Sequence, residues 1–143
     1  MILPDINVLA YAARDDVTDA SQYREWLEAA LAGPEPVALV TPVLAGFVRV
    51  VTNPRIFARP SSLDDALRFV EALLAAPAAT VPAPSERLAD LLVHVCRDAG
   101  ATADHVPDAY LAAIALDLDA ELFTADRGFA RFAGLRWRHP LQR

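Results

Sequence analysis

The chain contains no lysine, and all 13 of its basic residues are arginines. It has one cysteine, Cys96, which excludes an internal disulfide and favours a reducing, cytosolic compartment. No apolar run approaches the roughly 18 residues that a membrane-spanning helix needs. No basic segment precedes the first apolar residues, as it would in a secretory signal. We therefore expect a cytoplasmic protein with no membrane partner.

Acidic residues outnumber basic ones, and the formal net charge is −6 over 143 residues. A nucleic-acid-binding domain is usually basic, so the total charge argues weakly against RNA or DNA as a partner. The distribution weakens that argument, because residues 102–126 hold six acids and no base whereas residues 127–143 hold five arginines and no acid. This polarity predicts an acidic, metal-binding pocket beside a basic rim.

Short apolar segments alternate with helical patterns along the chain. Strands are predicted at residues 2–4, 37–40, 80–81, 121–124 and 135–137. Helices are predicted at residues 8–14, 22–31, 42–52 and 63–74, from Ser85 to about Gly100, and at 108–116. Their expected start signals are the N-caps Ser21, Thr41, Ser62 and Ser85, and Pro107 in the last case. The alternation predicts an α/β fold with a central parallel sheet, and the length predicts one domain over residues 1–143.

Three aspartates stand at positions where such a fold places ligands. Asp5 and Asp126 each follow a short apolar run, and Asp108 opens an alanine-rich helical pattern. In parallel sheets, ligands bind beyond the carboxyl ends of the strands. Converging carboxylates raise one another's pKa unless a cation neutralises them, and oxygen-rich acidic sites suit Mg²⁺ or Mn²⁺. Such ions can drive phosphodiester hydrolysis, so the three aspartates are candidate metal ligands.

Each aspartate taken alone has a simpler interpretation. Asp5 could be a helix N-cap, and Asp108 could favour the positive end of its helix. Asp126 could belong to an A-D-R-G turn in which Gly128 supplies a special backbone angle. Their joint placement at strand ends and a helix start favours the common site over these separate roles.

Arginines and aromatics could provide contacts to RNA. Arg127 opens the arginine-rich C-terminal stretch, and aromatics among such arginines can stack on bases while the arginines hold phosphates. We favour the simpler interpretation, in which the large aromatics Phe129, Phe132 and Trp137 are core and the arginines form a solvated face. A second candidate rim consists of Arg49, Arg55 and Arg59, with the same alternative. His105 could assist chemistry near Asp108, although a loop histidine is the simpler interpretation.

Three segments, in order, resemble a known family: PDINVLAYA, TPVLAGFVRVVTNPRIF and VPDAYLAAIALDLDAELFTADRGFARFAGLRW. They are similar to the PIN-domain ribonucleases of the VapC type, the toxins of bacterial toxin–antitoxin pairs. The resemblance implies a three-layer α/β/α fold and a Mg²⁺- or Mn²⁺-dependent endoribonuclease. It also implies an RNA substrate, a cognate antitoxin and a homodimer. It maps three of the family's acids to Asp5, Asp108 and Asp126, and supporting polar positions to Asn7 and Thr124.

Gly46 departs from the family pattern. The resemblance places the family's second acid, normally a glutamate, at this position, where glycine offers neither a metal ligand nor a general base. Glycine also costs a helix about 1 kcal/mol relative to alanine, so site chemistry and local propensity both disfavour it. Our hypothesis is that Gly46 is an inactivating change, engineered or selected because the active toxin harms its host. The alternative is natural drift to a weakened or retuned site.

Two other classes of protein remain as rivals to an active nuclease. One is a catalytically inactive module that dimerises and binds the antitoxin. The other is a phosphoacceptor signalling domain, which also collects aspartates at strand ends. Those domains rely on a lysine near the site, so the absence of lysine weighs against this second rival.

Overall fold

A five-stranded parallel sheet forms the centre of the computed structural model, which describes residues 1–142. The strand order is β3-β2-β1-β4-β5, and every neighbouring pair is parallel. The strands are short: β1 is Ile2–Pro4, β2 is Val37–Ala38, β3 is Ala79–Thr80, β4 is Glu121–Phe123 and β5 is Trp137–Arg138.

Helices flank this sheet in a three-layer α/β/α arrangement, which confirms the predicted fold class. Their bounds are α1 Ile6–Ala13, α2 Ala20–Ala32, α3 Thr41–Val51, α4 Leu63–Leu74, α5 Leu88–Ala99 and α6 His105–Asp117, and a 3-10 turn spans Arg127–Arg131. Within the described residues, no helix combines the length and apolarity needed to cross a bilayer.

The order in which successive strands are added to the sheet reverses at β1, in the middle of the sheet. From β1 the chain moves outward through β2 and β3 and then returns to place β4 on the other side of β1. Pro4 is the last residue of β1 and pairs with Phe123, and the next amide, that of Asp5, donates to the Phe123 carbonyl at 2.9 Å. This reversal, at the carboxyl ends of β1 and β4, is the place where open α/β sheets bind ligands.

The predicted helix starts were correct in one case and shifted in the others. Ser62 caps α4, since its Oγ accepts from the Asp65 amide at 3.1 Å. Ser21 is not a cap, because α2 begins at Ala20 after Asp19, which is in the left-handed region with φ of 61°. Local preference for serine at an N-cap was outweighed here by the loop that enters α2.

Three other starts also differ. Thr41 is already helical and Val40 precedes it. Ser85 lies before α5, accepts from the Arg87 amide and hydrogen-bonds Asp117 on α6. The last helix begins at His105 rather than at Pro107, because proline is tolerated inside a first helical turn, where its missing donor has no partner to lose.

Arg14 is a buried cation that ties the end of α1 to the segment after α3. Only 6% of its surface is exposed. Its Nε and Nη2 donate to the Asp16 carboxylate at 2.7 and 2.6 Å. Nη2 also donates to the Arg59 carbonyl at 2.7 Å, and the guanidinium carbon lies 3.8 Å from the centroid of the Phe57 ring. These contacts hold residues 53–61, which lack regular secondary structure.

Replacing Arg14 with methionine is expected to lower the free energy of unfolding by about 2 kcal/mol, because the Arg59 carbonyl and the Phe57 ring lose a buried cationic partner. Urea denaturation measures this. The matched control is Arg68→Met, which removes a solvent-exposed pair with Asp64 and should change stability by less than about 0.5 kcal/mol. Equal effects of the two substitutions would contradict a structural role for Arg14.

Candidate active site

Asp5 lies at the carboxyl end of β1 and caps α1. Its Oδ1 accepts from the Ile6 amide at 2.6 Å, and only 6% of the residue is exposed. The N-cap interpretation is therefore correct for Asp5. It does not exclude a role in the site, because Oδ2 faces the end of β4.

A hydrogen-bonded network joins the ends of β1 and β4 through Asp5, Asn7 and Thr124. The Thr124 hydroxyl donates to Asp5 Oδ2 at 2.6 Å and accepts from the Asp126 amide at 3.0 Å. Asn7 Nδ2 donates to Asp5 Oδ2 at 2.8 Å and to the Thr124 hydroxyl at 3.2 Å, while Asn7 Oδ1 accepts from the Ala125 amide at 3.1 Å. Each polar atom of Asn7 and Thr124 thus has a partner, and the network fixes the Asp5 carboxylate.

The other two aspartates are more open to solvent. Asp108 is half-buried in the first turn of α6, and Asp126 is exposed directly beyond β4. Asp126 caps the 3-10 turn, with its Oδ1 accepting from the Gly128 amide at 2.7 Å. Each of these carboxylates therefore also has the local role that its sequence position suggested.

Gly128 does not supply a special backbone angle, so that expectation was wrong. The left-handed glycines of the described residues are Gly100 and Gly134. Gly128 is instead a point of close approach: a Cβ there would lie 2.9 Å from Asp126 Oδ1 and 3.1 Å from Arg131 Nη2. Glycine thus allows a carboxylate and a guanidinium to lie over the same turn.

The charges of the three aspartates act on one another, so the three carboxylates lie within electrostatic reach. Burial raises the pKa of Asp5 above its ordinary value, the hydrogen bonds from Thr124 and Ile6 lower it, and the charges of Asp108 and Asp126 raise it further. Burial and the charge of Asp126 raise the pKa of Asp108, against the lowering effects of Arg131 and His105. The strand ends and the helix start thus bring the three carboxylates within electrostatic reach of one another, and their shared role as metal ligands stays a prediction.

The donors suit a divalent cation that keeps much of its water. Among residues 1–142, no three acidic, histidine or cysteine side chains are grouped closely enough to hold one ion. Asp5 already accepts three hydrogen bonds. Mg²⁺, however, usually keeps several waters and uses one or two carboxylates plus substrate phosphate. Asp5, Asp108 and Asp126 have the oxygen chemistry for that mode of binding and do not form a closed cage.

Gly46 lines a cleft of about 520 Å³ between α3 and α6, together with Asp5 and Asp108. A Cβ built on Gly46 would lie 2.3 Å from Ile6 Cδ1, so the Ile6 side chain occupies the space next to the glycine. The sequence analysis did not single out Ile6. Its position directly after Asp5 was the available signal, but an apolar residue at a helix start is too common to indicate a site.

The predicted basic rim is present only in part. Arg49 lines the cleft and Arg127 is exposed at the start of the 3-10 turn. Arg136 instead forms an ion pair with Asp119 at 2.7 Å, and Arg138 forms one with Glu121 at 3.1 Å. The two acids lie 17 residues earlier in the chain and offset the charges of the two arginines.

Two aromatics of the C-terminal stretch and His105 have structural roles. Phe129 and Phe132 are buried, with 2% and 4% exposure, which confirms the core interpretation for both. His105 lies in the first turn of α6 rather than in a loop, and its Nδ1 contacts Arg131 Nη1. Arg143, the last of the five C-terminal arginines, lies outside the described residues.

The sequence matches the PIN domain over residues 2–135. It is 49% identical over 141 residues to Ribonuclease VapC43 of Mycobacterium tuberculosis, covering 99% of this chain and 96% of that protein. Identity to Ribonuclease VapC25 of the same species is 41% over 140 residues, covering 98% and 99%.

Two solved structures share the fold. One is VapBC2 from Rickettsia felis, bound to a DNA fragment from its promoter. It superposes with a TM-score of 0.69 at 17% sequence identity, and the match covers 97% of this chain and 98% of that chain. VapC20 of M. tuberculosis, a sarcin-ricin loop cleaving toxin, gives 0.67 at 14% identity, covering 94% and 96%. With the match and relatives above, the chain belongs to the PIN-domain family and, within it, to the VapC ribonucleases, the toxins of toxin–antitoxin systems.

Thr124→Val is expected to lower the free energy of unfolding at neutral pH by about 2 kcal/mol, because the buried Asp5 carboxylate loses a hydrogen-bond donor. Valine matches threonine in shape, so packing is preserved. Thr124→Ser keeps the hydroxyl and is the control, expected to retain most of the stability. Chemical denaturation of the parent and the two variants measures the change in the free energy of unfolding. A valine variant as stable as the parent would contradict a stabilising role for the network.

Asp108→Asn is expected to stabilise the metal-free protein at neutral pH. Because the folded pKa of Asp108 lies above its ordinary value of 3.8, the unfolded chain releases this proton at lower pH than the folded one. Stability is therefore lost as pH rises from about 3.8 through the raised pKa, and asparagine avoids that loss. In EDTA the variant should melt about 1–3 °C higher near neutral pH and match the parent below about pH 3. A variant that melts lower than the parent at neutral pH would contradict the assigned shift.

Proposed function

We propose that the protein is a metal-dependent endoribonuclease that cleaves RNA by phosphodiester hydrolysis. The observation that supports this proposal is that Asp5, at the reversal point of the sheet, lies within electrostatic reach of Asp108 and Asp126 in a chain of the VapC family. A bound Mg²⁺ or Mn²⁺ would activate water and stabilise charge on the phosphate and the leaving oxygen.

The three carboxylates have different parts in this proposal. Asp5 is buried and hydrogen-bonded, so it provides a fixed charged oxygen that retains its orientation without a cation. Asp108 is half-buried and Asp126 is exposed, and both would supply further carboxylate oxygens to an ion that keeps its waters. Asn7 and Thr124 orient Asp5, and Arg49 and Arg127 are the candidate contacts to RNA.

We further propose that Gly46 weakens the site of this chain. Without an acid on α3, an ion has fewer carboxylates to bind, and affinity for a second ion falls most. We expect little or no cleavage at low Mg²⁺, whatever the origin of the glycine. The packing of Ile6 against Gly46 favours a retuned site over a single inactivating change, since two positions fit each other.

The proposed partners are a cognate antitoxin and a second copy of the chain, in the cytoplasm. VapBC2 from R. felis, which shares the fold, is itself a complex and supports the antitoxin. Large apolar side chains also remain exposed along α4, at Leu63, Leu67 and Leu74, as expected of a helix that a protein partner covers. An inactive module that only dimerises and binds the antitoxin is the alternative, favoured by the missing acid at Gly46.

At high concentrations of Mg²⁺ or Mn²⁺, the antitoxin-free protein should cleave RNA, and EDTA should stop the cleavage. Asp126→Asn is expected to reduce the rate about 100-fold, since it removes a proposed metal ligand. Asp90→Asn changes an exposed acid on α5 and should leave the rate unchanged. Metal-independent cleavage, or equal rates for the two variants, would overturn the proposed function.

Restoring the acid on α3 is best tested with two substitutions, because a Cβ on Gly46 would lie 2.3 Å from Ile6 Cδ1 and the Ile6 side chain would have to move. The double variant Gly46→Glu with Ile6→Ala is expected to bind Mn²⁺ about tenfold more tightly than the parent, measured by titration calorimetry. Its cleavage rate should rise as well. Ile6→Ala alone is the control and should gain neither. If the double variant shows no tighter binding, Gly46 is not the position of a missing ligand.

A further inference from the structure

The cleft between α3 and α6 extends beyond the two carboxylates that line it, those of Asp5 and Asp108. Its volume of about 520 Å³ is within the range for small-molecule sites. The remaining lining is mostly apolar, and includes Pro42, Val43, Ala45, Leu111 and Ile114. A hydrated metal ion needs none of this apolar surface.

The apolar character of the α3 wall depends on Gly46 and Ile6. An acid at position 46 would place a charge in the middle of the cleft, whereas here the Ile6 side chain fills that space with methyl and methylene groups. The two residues together turn a position for a metal ligand into a hydrophobic surface that adjoins the carboxylates.

A single arginine and a single aromatic ring complete the lining. Arg49 lies one helical turn after Gly46, on the same face of α3, and it is exposed. It forms no ion pair with any of residues 1–142. Tyr110 lines the α6 side and keeps 36% of its surface exposed. A guanidinium and an aromatic face are the two groups that hold a phosphate and stack on a base.

We propose that this cleft is a binding site for one base of the substrate RNA, next to the phosphate that is cut. The base lies between the apolar α3 wall and the Tyr110 ring, and Arg49 binds a neighbouring phosphate. This inference rests on the proposed ribonuclease function and adds a subsite to it. A nucleotide is the occupant that matches the lining, because it brings a flat apolar face and an anion side by side.

Binding in EDTA tests the subsite without any contribution from metal or cleavage. The probes are a fluorescent hexamer of RNA and a hexamer with the same phosphates in which every ribose is abasic. The parent protein is expected to bind the base-bearing strand about tenfold more tightly than the abasic strand, as one stacked base implies. Equal affinities for the two strands would overturn the proposal.

Two variants test the base contact and the phosphate contact separately. Tyr110→Leu keeps an apolar side chain and should remove most of the preference for the base-bearing strand, with little effect on the abasic one. Arg49→Gln should weaken both strands and reduce the salt dependence of binding by about one ion. Arg68→Gln, on the exposed face of α4, is the matched control and should change nothing. A thermal melt of each variant confirms folding.

The outcomes separate this subsite from the function on which it rests. Base-dependent binding without metal-dependent cleavage would remove the ribonuclease proposal and leave a nucleotide-binding cleft. Metal-dependent cleavage with no preference for bases would do the reverse. If Tyr110→Leu weakened binding of the antitoxin and left both RNA affinities intact, the cleft would belong to the protein partner and the base site would be rejected.

Discussion

The site depends on one buried interaction, the hydrogen bond from the Thr124 hydroxyl to the Asp5 carboxylate. A buried carboxylate is costly unless donors compensate for the water it loses. Thr124, Asn7 and the Ile6 amide supply them, and the same hydroxyl accepts from the amide of Asp126. One short network therefore opposes the rise that burial causes in the pKa of Asp5, joins β1 to β4 and sets the direction in which the chain leaves β4. Because its members polarise one another, removing one affects them all.

This network also explains the different exposure of the three aspartates. Asp5 is fixed by its partners, whereas Asp108 and Asp126 lie at the start of a helix and of a 3-10 turn, where local amides already favour negative charge. A site with three fully buried carboxylates would need compensation for each of them. The chain concentrates the compensation on one carboxylate and leaves the other two accessible to water. The repulsion between the Asp108 and Asp126 carboxylates remains, and it lowers the stability of the metal-free protein.

The central sheet and the end of it at which the aspartates lie could be predicted from the sequence because both follow from simple placement. Alternating strands and helices predict a parallel sheet, and acids directly after apolar runs must then lie at one edge. Helix starts were harder. Ser62 caps its helix, but Ser21 and Ser85 do not, since the path of each preceding loop, which no local pattern encodes, decided where the helix begins. The pairing of Arg136 and Arg138 with acids from earlier in the chain was invisible for the same reason.

The contact between Ile6 and Gly46 shows most clearly what a single residue pattern misses. Taken alone, a glycine inside α3 is a weak point in a helix and a gap in a ligand set. In the structure, the Ile6 side chain packs beside the glycine with its Cδ1 2.3 Å from the position of a Cβ, so a larger residue there would require the Ile6 side chain to move. The glycine at position 46 is explained by its neighbour Ile6, an apolar residue that directly follows Asp5. The wall of the site has therefore changed in character as well as in charge. A cleft with carboxylates on one side and a hydrocarbon wall on the other can distinguish ligands by shape, which a closed ring of acids around an ion cannot do.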